Sequence, residues 1–334
     1  MTENEASSQE EGDATHTGAD MGSAVGEMDA PDQDAIRTVG NPTDEQFGEL
    51  TVLEDSGHPK IPELSAEAYH ERHLAGGKSD VDIVTRALEC KMNVVLKGPP
   101  GVGKSFLTRY LAAQTNRPLY RVTLSETTYR EDLLGYVHLV SGQDGETVTS
   151  WVDGPLTRAA REGAILLLDE INAADANTVA ALNAVVEQHE TRSLTIPQTG
   201  EIIDPHEEFR VVATANPGYQ GTYQLNDAFE DRFRHIKLDY LPAELEVELV
   251  FDRTGLPQSR ESDIERLVSF AGRLRQAYMD GELATPITTR ELVRIAKFLA
   301  DDFMTLEAAA RSELLARVDE HDESLVETLI DKQL

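Results

Sequence analysis

The sequence predicts an α/β chain: a doubly wound, parallel sheet followed by a small all-α region, behind an acidic tail expected to be disordered. Three observations carry that expectation. Over residues 57–240, short apolar runs alternate with helix-like segments at spacings that suit parallel strands joined by crossover helices. From about Pro242 the strand-like runs stop and amphipathic stretches continue to Leu334. Residues 1–56 are rich in Glu, Asp, Gly, Ser and Thr, with Arg37 the only Lys or Arg before Lys60, and offer too little apolar surface to offset the entropy of ordering.

Taken in order, the first informative element of the α/β part is Gly98-Pro99-Pro100-Gly101-Val102-Gly103-Lys104-Ser105, which fits G-x-x-x-x-G-K-[ST]. It follows the apolar run Asn93 to Leu96 and precedes the helix-like Phe106 to Ala113, so it stands as a loop between strand and helix. In that setting the glycines let backbone N–H groups converge on phosphate oxygens, and the following helix adds its positive N-terminal end. Lys104 would place a point charge on the β- and γ-phosphates, and Ser105 would offer its hydroxyl to Mg²⁺. The candidate nucleotide contacts are therefore Gly98, Pro99, Pro100, Gly101, Val102, Gly103, Lys104, Ser105 and Phe106, with ATP and Mg²⁺ the implied ligands. Alone, the stretch is also compatible with an ordinary Gly/Pro turn.

A strand over Leu119 to Leu124 comes next, and then Ala164 to Leu168, an unbroken apolar run of the kind buried on both sheet faces, ending in Asp169 and Glu170. Open α/β sheets bind ligands at the carboxyl ends of their strands, where Asp169 can hold the magnesium shell and Glu170 can reach a water aimed at the γ-phosphate. By themselves the two acids could equally cap a helix from Asn172 onward, but that reading weakens beside a phosphate loop. Phe209 to Ala215 is a further β-branched run. It stops at Asn216-Pro217, because proline does not continue a central strand. The Asn216 amide can both donate and accept, which suits holding a water between Glu170 and a phosphate, although Asn before Pro is also a common turn signal. His235 to Leu238 supplies the last strand.

Two insertions interrupt this alternation. Residues 136–151 and 193–203 each read as two short strands about a polar turn. Beyond Pro242, Ser262-Asp263-Ile264-Glu265 reads as a capping box, and Ile264, Leu267, Val268, Ala271 and Leu274 fall on one helical face. Leu292, Val293, Ile295, Ala296 and Leu299 form a second stripe behind a capping Thr289, and Leu325, Val326, Leu329 and Ile330 a third. Such stripes read as core. The expected domains are thus a tail over 1–56, an α/β core over 57–240 and a helical lid over 241–334.

Composition narrows the function classes. The 334 residues carry 61 acids against 30 bases, a formal net charge of -31, and clusters of Lys and Arg that could neutralise a nucleic-acid backbone are absent. A nucleic-acid partner is therefore not expected. The bases are 8 Lys and 22 Arg, an acid-heavy, Lys-poor balance that suits a salt-rich cytoplasm and suggests a halophilic source. There is no basic start followed by an apolar stretch, no run near the roughly 20 apolar residues of a membrane span, and a single cysteine, Cys90, so a cytoplasmic protein without disulfides is expected.

The combination of motifs resembles the MoxR group of AAA+ ATPases, nearest the branch with the CbbQ, NorQ and GvpN proteins, from about Val81 to the C-terminus. The resemblance rests on the phosphate loop, Arg130-Glu131-Asp132-Leu133-Leu134-Gly135, Trp151-Val152-Asp153-Gly154-Pro155-Leu156, Leu168-Asp169-Glu170-Ile171-Asn172, Thr214-Ala215-Asn216-Pro217-Gly218 and Asp231-Arg232-Phe233. It implies that Asn216 is the sensor-1 residue, that Arg232 is a finger reaching the nucleotide of a neighbouring subunit, with Arg234 the alternative, and that Arg290 is the sensor-2 arginine of a lid helix. It further implies that the two hairpins are the helix-2 insert and the pre-sensor-1 hairpin, and that the active form is a ring, by analogy a hexamer. The implied activity is ATP-driven, chaperone-like remodelling of a client protein, often one with a von Willebrand A domain. A nucleotide-dependent scaffold with little turnover and a DNA-directed restriction-type motor are the alternatives.

Overall fold

The computed structural model describes residues 36–65, 68–74, 76–141, 147–217 and 225–334. Residues 1–35 of the expected tail, the turn of the first hairpin and Gly218 lie outside them. From Arg37 to Leu334 the chain is one compact unit. In order it runs β1 (Pro42–Phe47), β2 (Leu50–Leu53), α1 (Asp80–Glu89), β3 (Asn93–Lys97), α2 (Lys104–Gln114), β4 (Leu119–Thr123), α3 (Arg130–Leu134), β5 (Gly135–Ser141), β6 (Thr147–Asp153), α4 (Pro155–Glu162) and β7 (Ile165–Asp169). It continues with α5 (Ala176–Leu182), β8 (Leu194–Ile196), β9 (Glu201–Ile203), β10 (Arg210–Ala215), α6 (Asp227–Glu230), β11 (Phe233–Lys237), α7 (Ala243–Thr254), α8 (Glu261–Met279), α9 (Thr289–Lys297), α10 (Leu306–Leu314) and α11 (Glu320–Gln333).

Five strands form one parallel sheet in the order β11-β3-β10-β7-β4. Alternate residues of its inner strands feed two cores. Ile165, Leu167, Val212, Val94 and Leu96 pack with Val84 and Leu88 of α1 and Leu107 and Leu111 of α2. On the other face Leu166, Leu168, Val211, Ala213 and Val95 meet Leu156, Ala159 and Ala160 of α4 and Val179 and Leu182 of α5. Helices on both faces are why β7 and β10 are buried throughout and largely apolar, without alternation. Local signals agree with the start and stop points: Ser79 and Asp82 make a capping box at α1, and α4 has Pro155 at its start and Gly163 in the left-handed region at its end. The strands β5 and β6 pair antiparallel, as do β8 and β9, in the two places where hairpins were expected.

After β11 no further strand follows among the described residues, and α7 to α11 enclose a separate apolar core that includes Val250, Leu267, Phe270, Leu292, Ile295 and Val326. Leu325 and Leu329 pack on this same core, so the C-terminal stripe completes the helical region. No helix among the described residues is long and apolar enough to cross a membrane.

The structure corrects three local expectations. The disorder expected up to residue 56 does not hold over its last part, because β1 and β2 form an antiparallel hairpin with Leu50 and Leu53 fully buried and the Phe47 ring edge-on to Tyr110 at 5.5 Å. Glu89 holds it by accepting from the Thr51 N–H (3.0 Å) and hydroxyl (3.1 Å), and Arg117 donates to the Thr51 carbonyl at 2.6 Å. The acid-rich composition hides a local apolar set, Phe47, Leu50 and Leu53, large enough to dock on α1 and α2. Ser262 caps nothing, since α8 already starts at Glu261 out of a 3₁₀ turn over Gln258–Arg260. The cap of α9 is Thr288 and not Thr289: Glu291 accepts from the Thr288 N–H and hydroxyl, at 2.6 and 2.8 Å.

Candidate functional site

The sheet order puts β3, β10 and β7 side by side, so the carboxyl ends of these three strands open on one point. The loop after β3 leads into Lys104 and Ser105 at the start of α2, β7 ends in Asp169 with Glu170 next, and β10 delivers Thr214 with Asn216 beyond it. The side chains meet. The Ser105 hydroxyl donates to Asp169 Oδ1 at 2.5 Å and the Thr214 hydroxyl to the same oxygen at 2.7 Å, while Arg121 Nε donates to Asp169 Oδ2 at 2.6 Å. The Lys104 ammonium donates to the carbonyls of Gly98 (2.7 Å) and Pro99 (2.8 Å) and to Asn216 Oδ1 (2.7 Å). Asn172 steadies the Asn216 backbone by donating to its carbonyl at 3.1 Å.

Lys104 is buried, which disfavours its charged form and brings its pKa down to about 8, against the opposing pull of Asp169 and Glu170; Arg290 and Arg72 push in the same direction as burial. Glu170 sits in the left-handed region at φ 59°, with its N–H donated to the Thr214 hydroxyl at 3.1 Å. A non-glycine residue held there costs about 1–2 kcal/mol and marks a position fixed by its surroundings.

Around this cluster lies a cavity of about 510 Å³. One part of its wall is apolar, with Ala68, Tyr69, Leu241, Leu249 and Val293; the other carries the phosphate loop, Asp169, Glu170, Asn216 and Arg290. Of the expected site residues, Gly98 and Pro99 stand behind the wall as acceptors for Lys104, whereas Pro100 to Phe106, Asp169, Glu170, Asn216 and Arg290 line it. Arg232 does not. Its guanidinium donates to Glu187 Oε1 at 2.9 Å (Nε) and 2.5 Å (Nη2), outside the cavity, and Arg234 is exposed on β11.

Two arginines of this site had no sequence signal. Arg72, ahead of α1, is buried and donates to the Val102 carbonyl of the loop (2.8 Å) and to the Asp239 carbonyl (2.7 Å), with the Asp80 carboxylate 3.0 Å from its Nε. It ties the loop to the chain leaving β11. Arg121 is the partner of Asp169. Neither lies in a recognisable pattern, because tertiary contact alone gives each its place.

The loop also touches the helical region. Gly101 and Gly103 have φ of 77° and 91°, and a Cβ on Gly101 would stand 2.5 Å from the Thr288 Cβ at the cap of α9. Gly101→Ala is therefore expected to strain the loop and push the cap away, lowering nucleotide affinity by about tenfold for roughly 1–2 kcal/mol of backbone cost. Titration with a fluorescent ATP analogue measures it. The connection continues beyond the cap: the Tyr240 hydroxyl donates to the Pro100 carbonyl at 3.2 Å, the Arg275 guanidinium lies 3.7 Å from the Tyr240 ring centre, and Arg275 pairs bidentately with Glu246 at 2.7 and 2.8 Å. Glu246 also accepts from the Thr289 hydroxyl at 2.6 Å, next to Arg290.

Comparison with known proteins agrees with this arrangement. Residues 93–233 match the family model of the AAA domain (dynein-related subfamily), and residues 246–332 match that of the CbbQ/NirQ/NorQ C-terminal region. An uncharacterized protein of Staphylococcus haemolyticus is 32% identical over 241 residues, 72% of this chain and 89% of the relative. Similar relatives occur in Staphylococcus saprophyticus (30% over 237 residues, 71% and 88%) and Staphylococcus aureus (30% over 254 residues, 75% and 94%). A crystal structure of a protein from Cytophaga hutchinsonii overlays with a TM-score of 0.41 at 21% identity, over 74% of this chain and 86% of that one. With a phosphate loop and acidic strand inside the first matched segment and a helical region inside the second, the chain belongs to the MoxR-like AAA+ ATPases that carry the CbbQ/NirQ/NorQ C-terminal domain.

Proposed function

We propose that this chain binds ATP with Mg²⁺ in the cavity and hydrolyses it as one subunit of a ring that remodels a partner protein. The observation that carries the reading is a pair of hydrogen-bonded groups, Lys104 with Asn216 and Asp169 with Ser105 and Thr214, side by side at three adjacent strand ends. The apolar wall at Tyr69, Leu249 and Val293 suits a nucleobase, and the loop with Lys104 and Arg290 suits the phosphates.

The donor set fits a hard cation. The Ser105 hydroxyl and the Asp169 carboxylate stand together as two hard oxygen donors. That is the pattern of a magnesium bound through one or two protein oxygens plus phosphates. When bound, Mg²⁺ supplies charge to the β- and γ-oxygens that Ser105 and Asp169 cannot. Lys104 turns from the Gly98 and Pro99 carbonyls to the phosphates. Glu170, beside the metal ligand, accepts the proton of the attacking water, and Asn216 orients that water. Arg290 contacts the γ-phosphate within the subunit, and Arg232 reaches it from the neighbour, which makes the assembly a head-to-tail ring, by family analogy a hexamer. The client is a protein, in this family often one with a von Willebrand A domain, and the work is chaperone-like.

The test is Glu170→Gln. It is expected to bind ATP normally and to lose single-turnover hydrolysis by about 10²- to 10⁴-fold, the usual worth of a general base. Hydrolysis at the wild-type rate would favour a nucleotide-dependent scaffold.

A further inference from the structure

The metal ligand Asp169 is already paired, and its partner is a cation. Arg121 Nε lies 2.6 Å from Asp169 Oδ2, while the two hydroxyls, Ser105 and Thr214, occupy Oδ1. Arg121 differs from four other cations of the cavity wall, which are held by several groups or by contacts away from Asp169, whereas Arg290 is exposed. Arg72 is clamped by two carbonyls and Asp80, Lys104 by three oxygens, Arg253 by the Ala68 carbonyl and the Phe106 ring, and Arg294 by Glu313. The Arg121 side chain is 59% exposed, and among the described residues its one ion-pair partner is Asp169.

Its position in the sheet explains that freedom. The strand β4 is an edge of the sheet, and Arg121 and Thr123 both line the cavity, with Thr123 opposite Asp169 in the register. Arg121 therefore reaches across from the edge strand to the neighbouring strand end, and its other side faces solvent. The stem can swing away without leaving a hole.

We propose that Arg121 is a resident counter-ion of Asp169 that competes with Mg²⁺ for this carboxylate, so that the metal is captured only together with a triphosphate. The inference rests on the nucleotide reading given above. Its reason is electrostatic: a guanidinium on Oδ2 and a divalent cation served by the same carboxylate repel each other, so metal capture is costlier while Arg121 stays on Asp169. Phosphate oxygens entering the cavity tip the exchange, because they add ligands for the metal and an alternative partner for the guanidinium, which is well shaped for them. Arg121 is a positioning residue that acts through Asp169.

The experiment is equilibrium binding of a fluorescent ATP analogue to the full chain, with EDTA and with increasing Mg²⁺, for wild type, Arg121→Gln and Arg121→Lys. The quantity read is the ratio of the dissociation constant in EDTA to that in saturating Mg²⁺. Removing the competitor is expected to raise this ratio at least fivefold in Arg121→Gln and to lower the Mg²⁺ concentration at the binding midpoint correspondingly. Arg121→Lys, which keeps the charge, should stay between the two. An unchanged or smaller ratio in Arg121→Gln overturns the proposal, as does an Arg121→Lys that matches Arg121→Gln. If wild type binds no nucleotide under either condition, the nucleotide reading itself fails and takes this inference with it, an outcome distinct from binding with equal metal dependence. An exposed side chain on an edge strand is not needed for folding, and a thermal midpoint within a few degrees of wild type checks that the variants are intact.

Discussion

Arg232→Ala should bind ATP with near wild-type affinity and lose steady-state turnover by about 10³- to 10⁵-fold, the range known for arginines supplied across a subunit boundary. The unchanged affinity follows from where the side chain stands, and the loss of turnover from the finger role proposed above. Arg232 is absent from the cavity wall and pairs with Glu187, so its loss leaves the subunit's own nucleotide contacts in place. A finger working on a neighbour must first part from Glu187, and that pair is half-exposed and weak enough to break, worth about 1 kcal/mol or less. Mixed rings give the decisive measurement. Arg232→Ala and Glu170→Gln subunits are each expected to be inactive alone, but where an intact Arg232 faces an intact Glu170 some sites should recover. Mixed assemblies of verified composition that show no recovery would place the finger elsewhere, with the exposed Arg234 the next residue to test.

Lys104→Met should abolish nucleotide binding while leaving the fold no less stable, the second large effect. The ammonium is buried and its three contacts are to neutral oxygens, so the folded protein holds that charge at a cost. Its folded pKa is lowered from 10.5 to about 8, so the unfolded chain binds that proton more tightly; stability from this group is lacking below pH 8 and is gained as pH rises from about 8 towards 10.5. Methionine removes the buried charge, and its thermal midpoint near pH 7 should equal or exceed that of wild type. The same pKa predicts a pH profile. Phosphates want Lys104 charged, so affinity should be flat below pH 7 and fall by roughly tenfold by pH 9. A Lys104→Met protein that still binds the ATP analogue within a fewfold of wild type would refute the cradle.

The readable part of this site was the part made of short-range pattern. Lys104 and Ser105 follow a strand in a fixed motif, and Asp169 and Glu170 end an apolar run, so each could be placed at the carboxyl end of a strand before any fold was known. The parallel sheet did the rest, because β3, β10 and β7 are neighbours and their ends converge. Arg72 and Arg121 were not readable, since each is a lone arginine recruited by residues far away in sequence. The β1–β2 hairpin escaped for a different reason: composition over 56 residues averages away three apolar side chains, Phe47, Leu50 and Leu53, that are well placed to dock. The shift of the α9 cap by one residue, from Thr289 to Thr288, reflects two adjacent threonines of equal cap propensity between which only Glu291 decides.

The contacts running from Pro100 through Tyr240, Arg275 and Glu246 to Thr289 bear on how chemical energy would leave the pocket. Breaking the desolvated Arg275–Glu246 pair would strand a buried charge, at a penalty of about 3–5 kcal/mol, so tilting the helical cap as a stiff body together with Tyr240 is the cheaper motion. A drawbar couples a trailer in this way: on this reading, a pull at the phosphate end would be handed through Tyr240 and the Arg275–Glu246 pair to the root of α9.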